Sequence, residues 1–207
     1  MPHNNNTIRT FAVALVAALG FSAPAMSGQL NFGHAAFAPV AGPTSIPIGH
    51  NEFCKLHSRE CGAFERIVDA VALDEHRWQL LVEVNNAMNR DIVPVTDEDL
   101  YQVDELWTYP SGYGDCEDIA LAKRRQLIDA GWEPSTLLMA VVRESNGNGH
   151  AVLMVRTDRG DLVLDNQDGM VRVWTETPYQ YIKRQSQQHA GVWVDIIDDR
   201  VTVAAAH

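Results

Sequence analysis

The chain has 207 residues, 46% of them hydrophobic, and a formal net charge of −11 at pH 7. This length accommodates one well-buried domain, or at most two small ones. The sequence has no block of basic residues, which argues against a nucleic-acid partner, and its acidity fits a protein whose partner is basic or calcium-rich.

The first 27 residues have the pattern of a secretory signal peptide. Arg9 and the α-amine form a positive region, and the following apolar run, FAVALVAALGF (11–21), is too short to span a membrane. The small residues APA (23–25) and AMS (25–27) offer two cleavage sites. We therefore predict an exported protein with no membrane span after processing. The alternative is an uncleaved anchor.

Residues 28–47 are rich in Gly, Ala and Pro and show no period, which predicts a flexible, exposed N-terminal arm before a domain at 48–207. Within that domain, Cys54 and Cys61 lie close together in FCKLHSRECG. Because export makes disulfides possible, we predict that these two cysteines pair. Cys116 is then left as a free and reactive thiol. The alternative is three reduced, buried thiols.

Two helices are predicted before the strands begin. Apolar residues at helical spacing predict the first from about Asp74 to Asn89. A polar, turn-rich stretch (96–114) leads to the second, which starts at Asp115 and stops before Gly131.

The second helix begins at a cysteine surrounded by acids, in the stretch GDCED. Asp115 is the predicted cap, and Asp118 completes an acidic variant of the capping box. Cys116 lies at the edge of the apolar stripe and should face the body of the protein. Arg124 lies within that stripe, so it should extend to solvent or pair with an acid such as Glu117.

The second half of the chain predicts an antiparallel sheet. The turn signals NGNG, DRG and NQDG separate apolar runs, which are expected to be strands at 137–142, 150–156, 161–165, 171–174 and 192–197. Residues 178–188 are expected to be helical or irregular. Helices followed by a meander of strands indicate an α+β architecture.

Cys116, His150 and Asp165 form the candidate catalytic set. Aligned N–H groups in the first turn of a helix lower the pKa of a thiol, whereas the flanking acids oppose this unless a cation or an imidazolium neutralises them. A four-residue loop at 157–160 would place Asp165 opposite Val152, with His150 as its diagonal neighbour on the same face. A three-residue loop would turn Asp165 to the other face. The first geometry permits a Cys-His-Asp triad.

The motifs GDCEDIALAKR, GHAVLMV and LVLDNQ closely resemble the bacterial transglutaminase-like cysteine proteinase family. The resemblance covers about residues 48–195 and includes FCKLHSRECG, VEVNNAMN, DELWTYP and the late Trp193. It implies a papain-like, transglutaminase-like fold with the nucleophile helix packed on an antiparallel sheet. Cys116 would be the nucleophile, His150 the base and Asp165 the group that orients the base. The family's usual aromatic residue after GDCED is Ile119 here, so packing on the substrate side is expected to differ.

The resemblance extends to periplasmic proteases that release biofilm adhesins, in which acids flanking the cysteine bind calcium. It therefore implies Asp115 and Glu117 as calcium ligands. The implied protein is a calcium-dependent periplasmic endopeptidase with a thioester acyl-enzyme, a surface adhesin as protein substrate and a membrane protein as regulator. The Cys116 backbone N–H would hold the oxyanion, with Trp107 contributing by analogy.

Three other functions remain open at this point. The same fold supports an amidase or transglutaminase, in which an amine takes the acyl group. A non-catalytic calcium-binding adaptor would use only the acids. A zinc site formed by Cys116, His150 and Asp165 lacks the usual paired spacing of ligands.

Overall fold

The computed structural model of the protein describes Met1 and residues 37–200. Apart from Met1, the predicted signal peptide (1–27) lies outside the described residues, as does the first part of the predicted arm (28–36). Among the described helices, none has both the length and the apolar character that a membrane crossing requires.

The described part of the chain forms an α+β fold, as predicted. Its helices are α1 (Ile48–Leu56), α2 (Glu75–Asp91), α3 (Asp97–Tyr101) and α4 (Cys116–Asp129). Its strands are β1 (Val40–Thr44), β2 (Val93–Pro94), β3 (Tyr113–Gly114), β4 (Leu137–Arg143), β5 (Gly149–Thr157), β6 (Gly160–Leu164), β7 (Arg172–Val173), β8 (Gln180–Gln185) and β9 (Trp193–Ile196). The two predicted helices correspond to α2 and α4, whereas α1 and α3 were not predicted.

One antiparallel sheet organises the molecule, with the strand order β1-β9-β8-β4-β5-β6-β7. β4 is at its centre and is buried on both faces, as its continuous apolar sequence predicts. Leu137 and Met139 belong to the core that also contains residues of α2 and α4. Leu138 and Ala140 belong to a second core, which Trp174 and neighbouring aromatic residues cover. α4, the predicted nucleophile helix, therefore packs on the sheet as expected.

The N-terminus of α4 differs from the predicted capping box. Asp115 occupies the cap position, but its side chain makes no capping hydrogen bond. Asp118 is buried, and its Oδ1 accepts a hydrogen bond from the backbone N–H of Thr108 at 2.7 Å. Asp118 therefore bonds to the loop before the helix, and the first turn of α4 has no side-chain cap from Asp115.

Two further predictions are wrong. Residues 40–44 of the predicted flexible arm form β1, which pairs with β9, and the Ala38 N–H donates to Asp161 Oδ2 at 2.8 Å. Residues 180–185, expected to be helical or irregular, form β8 between β4 and β9. Their polar sequence, QYIKRQ, is a poor strand former by itself, so pairing with two neighbouring strands decides its structure.

Candidate active site

The beginning of α4 lies against the beginning of β5. Cys116 is the first residue of α4, and its Sγ accepts a hydrogen bond from the backbone N–H of Ala151 at 3.4 Å. His150 immediately precedes Ala151 in β5. Cys116 and His150 also line the same cavity, which has a volume of about 390 Å³. The fold therefore brings together two side chains that are 34 positions apart in the sequence.

The hairpin of β5 and β6 has the register that the triad requires. Arg156 pairs with Asp161 across the hairpin. His150 Nε2 then lies 2.9 Å from Asp165 Oδ1, and both side chains are buried. Burial by itself would raise the pKa of Asp165, but hydrogen bonds from His150 and from other donors hold it below its usual value. An ionised Asp165 accepts from Nε2–H, which leaves Nδ1 as the ring nitrogen that does not contact Asp165.

Tyr179 completes the surroundings of Asp165 and was not identified from the sequence. Its hydroxyl donates to Asp165 Oδ2, and its ring centroid lies 5.3 Å from that of His150. The backbone N–H of Gln167 donates to Asp165 Oδ1 at 3.0 Å. Tyr179 precedes β8 in a stretch that has no periodicity, so no local signal identifies it.

Two asparagines of α2 hold the loop that follows Asp165. Asn89 Nδ2 donates to the carbonyl of Asp165 at 2.8 Å, and Asn85 Nδ2 donates to the carbonyl of Asp168 at 2.9 Å. Asn85 belongs to the motif VEVNNAMN that contributed to the family resemblance. Its contact gives that motif a structural role, because it anchors the loop that follows Asp165.

In this structure the Cys116 thiol makes its hydrogen bonds to groups other than the imidazole of His150. Sγ lies 3.1 Å from Glu117 Oε2, to which it donates, and it accepts from Ala151 N–H. Burial, and next the negative charge of Glu117, raise the pKa of Cys116 well above its usual value. The lowering of the Cys116 pKa that we expected from the helix N-terminus is smaller than these two effects. Neutralisation of the nearby carboxylate would remove the charge contribution and lower the pKa of Cys116 toward its usual value.

Three carboxylates from two elements converge beside Cys116. Asp97 in α3, Asp115 and Glu117 offer oxygen atoms that all lie within 4.8 Å of one another. Oδ1 of Asp97, Oδ1 of Asp115 and Oδ2 of Asp118 are buried and have no hydrogen-bond partner among the described residues. The sequence pointed to Asp115 and Glu117 but missed Asp97, whose approach depends on how α3 packs against the beginning of α4.

Like-charge crowding and burial disfavour ionisation of this acidic cluster. Burial, chiefly, raises the pKa of Asp115 to about 6. Burial, followed by the charge of Asp115, raises the pKa of Glu117 to about 9. Hard carboxylate oxygens without other partners are the donors that calcium prefers. The donor set therefore fits the calcium site that the resemblance implies.

Trp107 does not have the arrangement expected of an oxyanion donor. It lines the cavity with Cys116, but its indole N–H donates to Glu105 Oε1 at 2.7 Å. Its ring packs edge-on against His50, with the centroids 5.2 Å apart. In this structure the indole therefore serves as a wall of the cavity.

The predicted disulfide is present. Cys54 and Cys61 are joined by an S–S bond, and Cys116 is the free cysteine. The buried His50 lies beside the bridge, with ring nitrogens 3.7–4.0 Å from the two sulfur atoms. The bridge thus belongs to the core that contains Trp107 and Trp193.

Comparison with known proteins identifies one family and one group of solved structures. The sequence model of the family described as "bacterial transglutaminase-like cysteine proteinase" matches residues 40–201. Calcium-bound LapG from Legionella pneumophila is 22% identical, with a TM-score of 0.49 over 56% of this chain and 67% of that chain. A second structure of that LapG is 23% identical, with a TM-score of 0.47 over 56% and 67% of the two chains. The EGTA-treated form is 22% identical, with a TM-score of 0.48 over 59% and 72%. No curated protein gives a significant match.

Proposed function

This chain belongs to the bacterial transglutaminase-like cysteine proteinase family and is therefore a cysteine peptidase, and we propose that Cys116, His150 and Asp165 carry out its chemistry. The observation that supports these roles best is the 2.9 Å hydrogen bond between His150 Nε2 and Asp165 Oδ1. It directs the basic Nδ1 away from Asp165, while Cys116 Sγ contacts the neighbouring Ala151 N–H.

The proposed reaction has two halves. In the first, the thiol gives its proton to His150 Nδ1, and Sγ attacks the scissile carbonyl carbon. The peptide C–N bond breaks as His150 returns that proton to the leaving amine, and a thioester remains. In the second, His150 takes a proton from water, the hydroxide attacks the thioester carbonyl, and the C–S bond breaks. His150 returns this proton to the departing sulfur, so the acid product is released and the free thiol is regenerated.

We propose calcium as the cofactor, with Asp97, Asp115 and Glu117 as the residues that would hold it. When bound, the ion supplies positive charge that neutralises these carboxylates and orders the loop before α4. Glu117, engaged in this way, no longer accepts the thiol proton. The Cys116 side chain is then free to donate to His150 Nδ1, and its pKa falls because the like-charge repulsion is removed.

The remaining details of the proposal derive from the sequence. The signal-peptide pattern and the family resemblance support a periplasmic location, and the Cys54–Cys61 disulfide is compatible with an oxidising compartment. The same resemblance supports a surface adhesin as the protein substrate and a membrane protein as regulator.

A genetic experiment tests the substrate class and the nucleophile together. Cells that lack the gene, complemented with the wild-type chain, Cys116→Ala or Ser111→Ala, would be compared for the large proteins retained on their surface. Ser111 is exposed and lies in the same loop, so it is a matched control. We expect a large adhesin to be retained with Cys116→Ala and released with the other two. Release by Cys116→Ala would contradict the catalytic role of this thiol.

Purified protein distinguishes the alternatives on the same fold. With calcium and without reductant, iodoacetamide should label Cys116 alone, because Cys54 and Cys61 are bonded to each other. A peptidase produces new amino termini, whereas an amidase releases ammonia and a transglutaminase incorporates an added amine. Amine incorporation without new amino termini would show that the reaction is acyl transfer and not hydrolysis. The absence of any covalent chemistry would support a non-catalytic calcium-binding adaptor.

A further inference from the structure

A second and larger cavity lies away from the active site. Its volume is about 760 Å³, and it is bounded by residues 59–66, by the second half of α4 and by the turn at 133–134. It shares no lining residue with the cavity that contains Cys116. Its size is within the range of small-molecule sites.

Arg124 lines this cavity and has no acidic partner. The residue is 5% exposed, and its Nε donates to the carbonyl of Leu137 at 3.0 Å. Among the described residues, its two Nη groups make no hydrogen bond and no ion pair. Of the two sequence-based expectations, the pairing of Arg124 with Glu117 is not present, and the side chain instead extends to this cavity. Burial lowers the pKa of this guanidinium, because removal of a charge from water is costly, and the nearby Tyr109 and Glu60 offset this only in part.

The other charges around the cavity are balanced or exposed. Arg125 pairs with Glu60 at 2.7 Å, and Arg66 pairs with Glu133 at 2.8 Å. In all, the lining contains Arg59, Arg66, Arg124 and Arg125 against Glu60, Glu65, Asp129 and Glu133. These charges sum to zero, so the lining does not favour a polyanion. Arg124 alone is a buried cation with free donors, which fits a ligand that carries one negative charge.

The rest of the lining is suited to an apolar group. Phe64, Ile128 and Pro134 contribute half-buried carbon surface to the same cavity as Arg124. A planar guanidinium binds a carboxylate through two parallel hydrogen bonds. Apolar surface next to such a fork favours an organic acid over an inorganic anion, since the carbon body of the acid is removed from water.

We propose that this cavity is a binding site for an organic carboxylate, with the carboxylate on the Nη groups of Arg124 and the apolar body against Phe64, Ile128 and Pro134. Two sources share this chemistry, namely a free carboxylic acid and an acidic side chain next to an apolar residue in a protein segment. This proposal does not depend on the peptidase activity. It is therefore tested by measuring the binding of the carboxylate.

Calorimetry on the full chain with phenylacetate as probe tests the proposal. Phenylacetamide is the neutral control of the same shape, and inorganic phosphate is the control anion. A blocked peptide with Glu next to Phe, compared with its Gln counterpart, represents the protein source. We expect phenylacetate or the Glu peptide to bind at least tenfold more tightly than its neutral counterpart and than phosphate. The tighter of the two identifies the source.

Three variants locate the site. Arg124→Gln should weaken binding at least tenfold, whereas Arg90→Gln, at an exposed arginine outside the cavity, should leave it unchanged. Ile128→Glu places a carboxylate one helical turn from Arg124, so it should fill the site, abolish binding and raise the thermal midpoint. If Arg124→Gln does not fold, Ile128→Glu still tests the proposal. Equal affinity for the acid and the amide, binding that survives Ile128→Glu, or no binding of either acid at millimolar concentration would each overturn the proposal.

Discussion

At the scale of single residues, three hydrogen bonds hold Asp165, the proposed third member of the catalytic triad. The carboxylate accepts from His150 Nε2, from the Gln167 N–H and from the Tyr179 hydroxyl. The first fixes the tautomer of the imidazole, and the other two fix the orientation of the carboxylate. We therefore expect Tyr179 to act as a positioning residue, because its hydroxyl contacts Asp165 and would act on the proposed reaction only through Asp165 and His150.

The role of Tyr179 leads to a kinetic prediction. Tyr179→Phe should lower kcat about tenfold with little change in KM, which corresponds to the loss of about 1.4 kcal/mol of transition-state stabilisation. Tyr181→Phe is the matched control, since that hydroxyl lies 3.1 Å from Thr177 Oγ1 and not at Asp165. Steady-state kinetics on a peptide substrate, with thermal unfolding of each variant, provides the measurement. Equal kcat values for the two variants would show that the Tyr179 hydroxyl has no positioning role.

At the scale of elements, the carboxyl groups at the beginning of α4 take up protons at a higher pH than free acids do. Burial raises the pKa of Asp115 to about 6, of Asp118 to about 7 and of Glu117 to about 9. The alternative that Asp115 is only a helix cap loses support, because its side chain makes no capping bond. The ligand role therefore accounts better for a carboxylate in this position.

The raised pKa values predict how this cluster makes stability depend on pH and on calcium. Because they are raised in the folded state, these carboxyl groups bind more protons in the folded chain than in the unfolded chain between about pH 4 and pH 9. In EGTA, the thermal midpoint should therefore fall as the pH rises from 5 to 8. Calcium should restore it at pH 8 and have little effect at pH 5, where protons compete for the oxygens. Magnesium should substitute poorly.

Two variants provide the control for this prediction. Asp97→Asn removes one proposed ligand and should abolish the calcium response at pH 8. Asp104→Asn removes an exposed acid from the neighbouring loop and should leave the response intact. A midpoint in EGTA that rises with pH, or equal calcium responses of Asp97→Asn and the wild-type chain, would argue against a calcium site in this loop.

At the scale of the whole molecule, the Cys54–Cys61 bridge ties α1 to the turn that follows it. The bridge spans a sequence separation of 7 and belongs to the core shared with α2, α4 and the sheet. His50 beside it is buried, and burial, followed by the positive charge of Arg124, lowers its pKa to about 4. The bridge therefore closes a segment that packs around a neutral imidazole.

Removal of this bridge should destabilise the protein without direct damage to the active site. The double variant Cys54→Ser/Cys61→Ser should lose about 2.5 kcal/mol of unfolding free energy, the chain-entropy value for a loop of this length. Cys116→Ser is the same substitution at the free thiol, and it should lose activity while it keeps its stability. Urea unfolding of both variants provides the comparison. Unchanged stability of the double variant would show that the bridge does not constrain the unfolded chain.

The sequence by itself determined the features that depend on neighbouring residues. Spacing and stop signals located α2 and α4, and turn signals located the central strands. The register of the β5–β6 hairpin, on which the His150–Asp165 contact depends, follows from the parity of its loop. The family follows from short motifs in a particular order. Each of these signals lies within a few residues of the element that it specifies.

Only the tertiary structure decided the features that join distant parts of the chain. β1 and β8 are strands because β9 and β4 lie beside them, whatever their own propensity. Asp97 reaches the acids of α4 because α3 packs there, and Tyr179 reaches Asp165 from the loop before β8. Arg124 is buried without an acid because the chain folds over it. Such contacts join residues that are far apart in the sequence. The local pattern of residues around either partner therefore does not predict them.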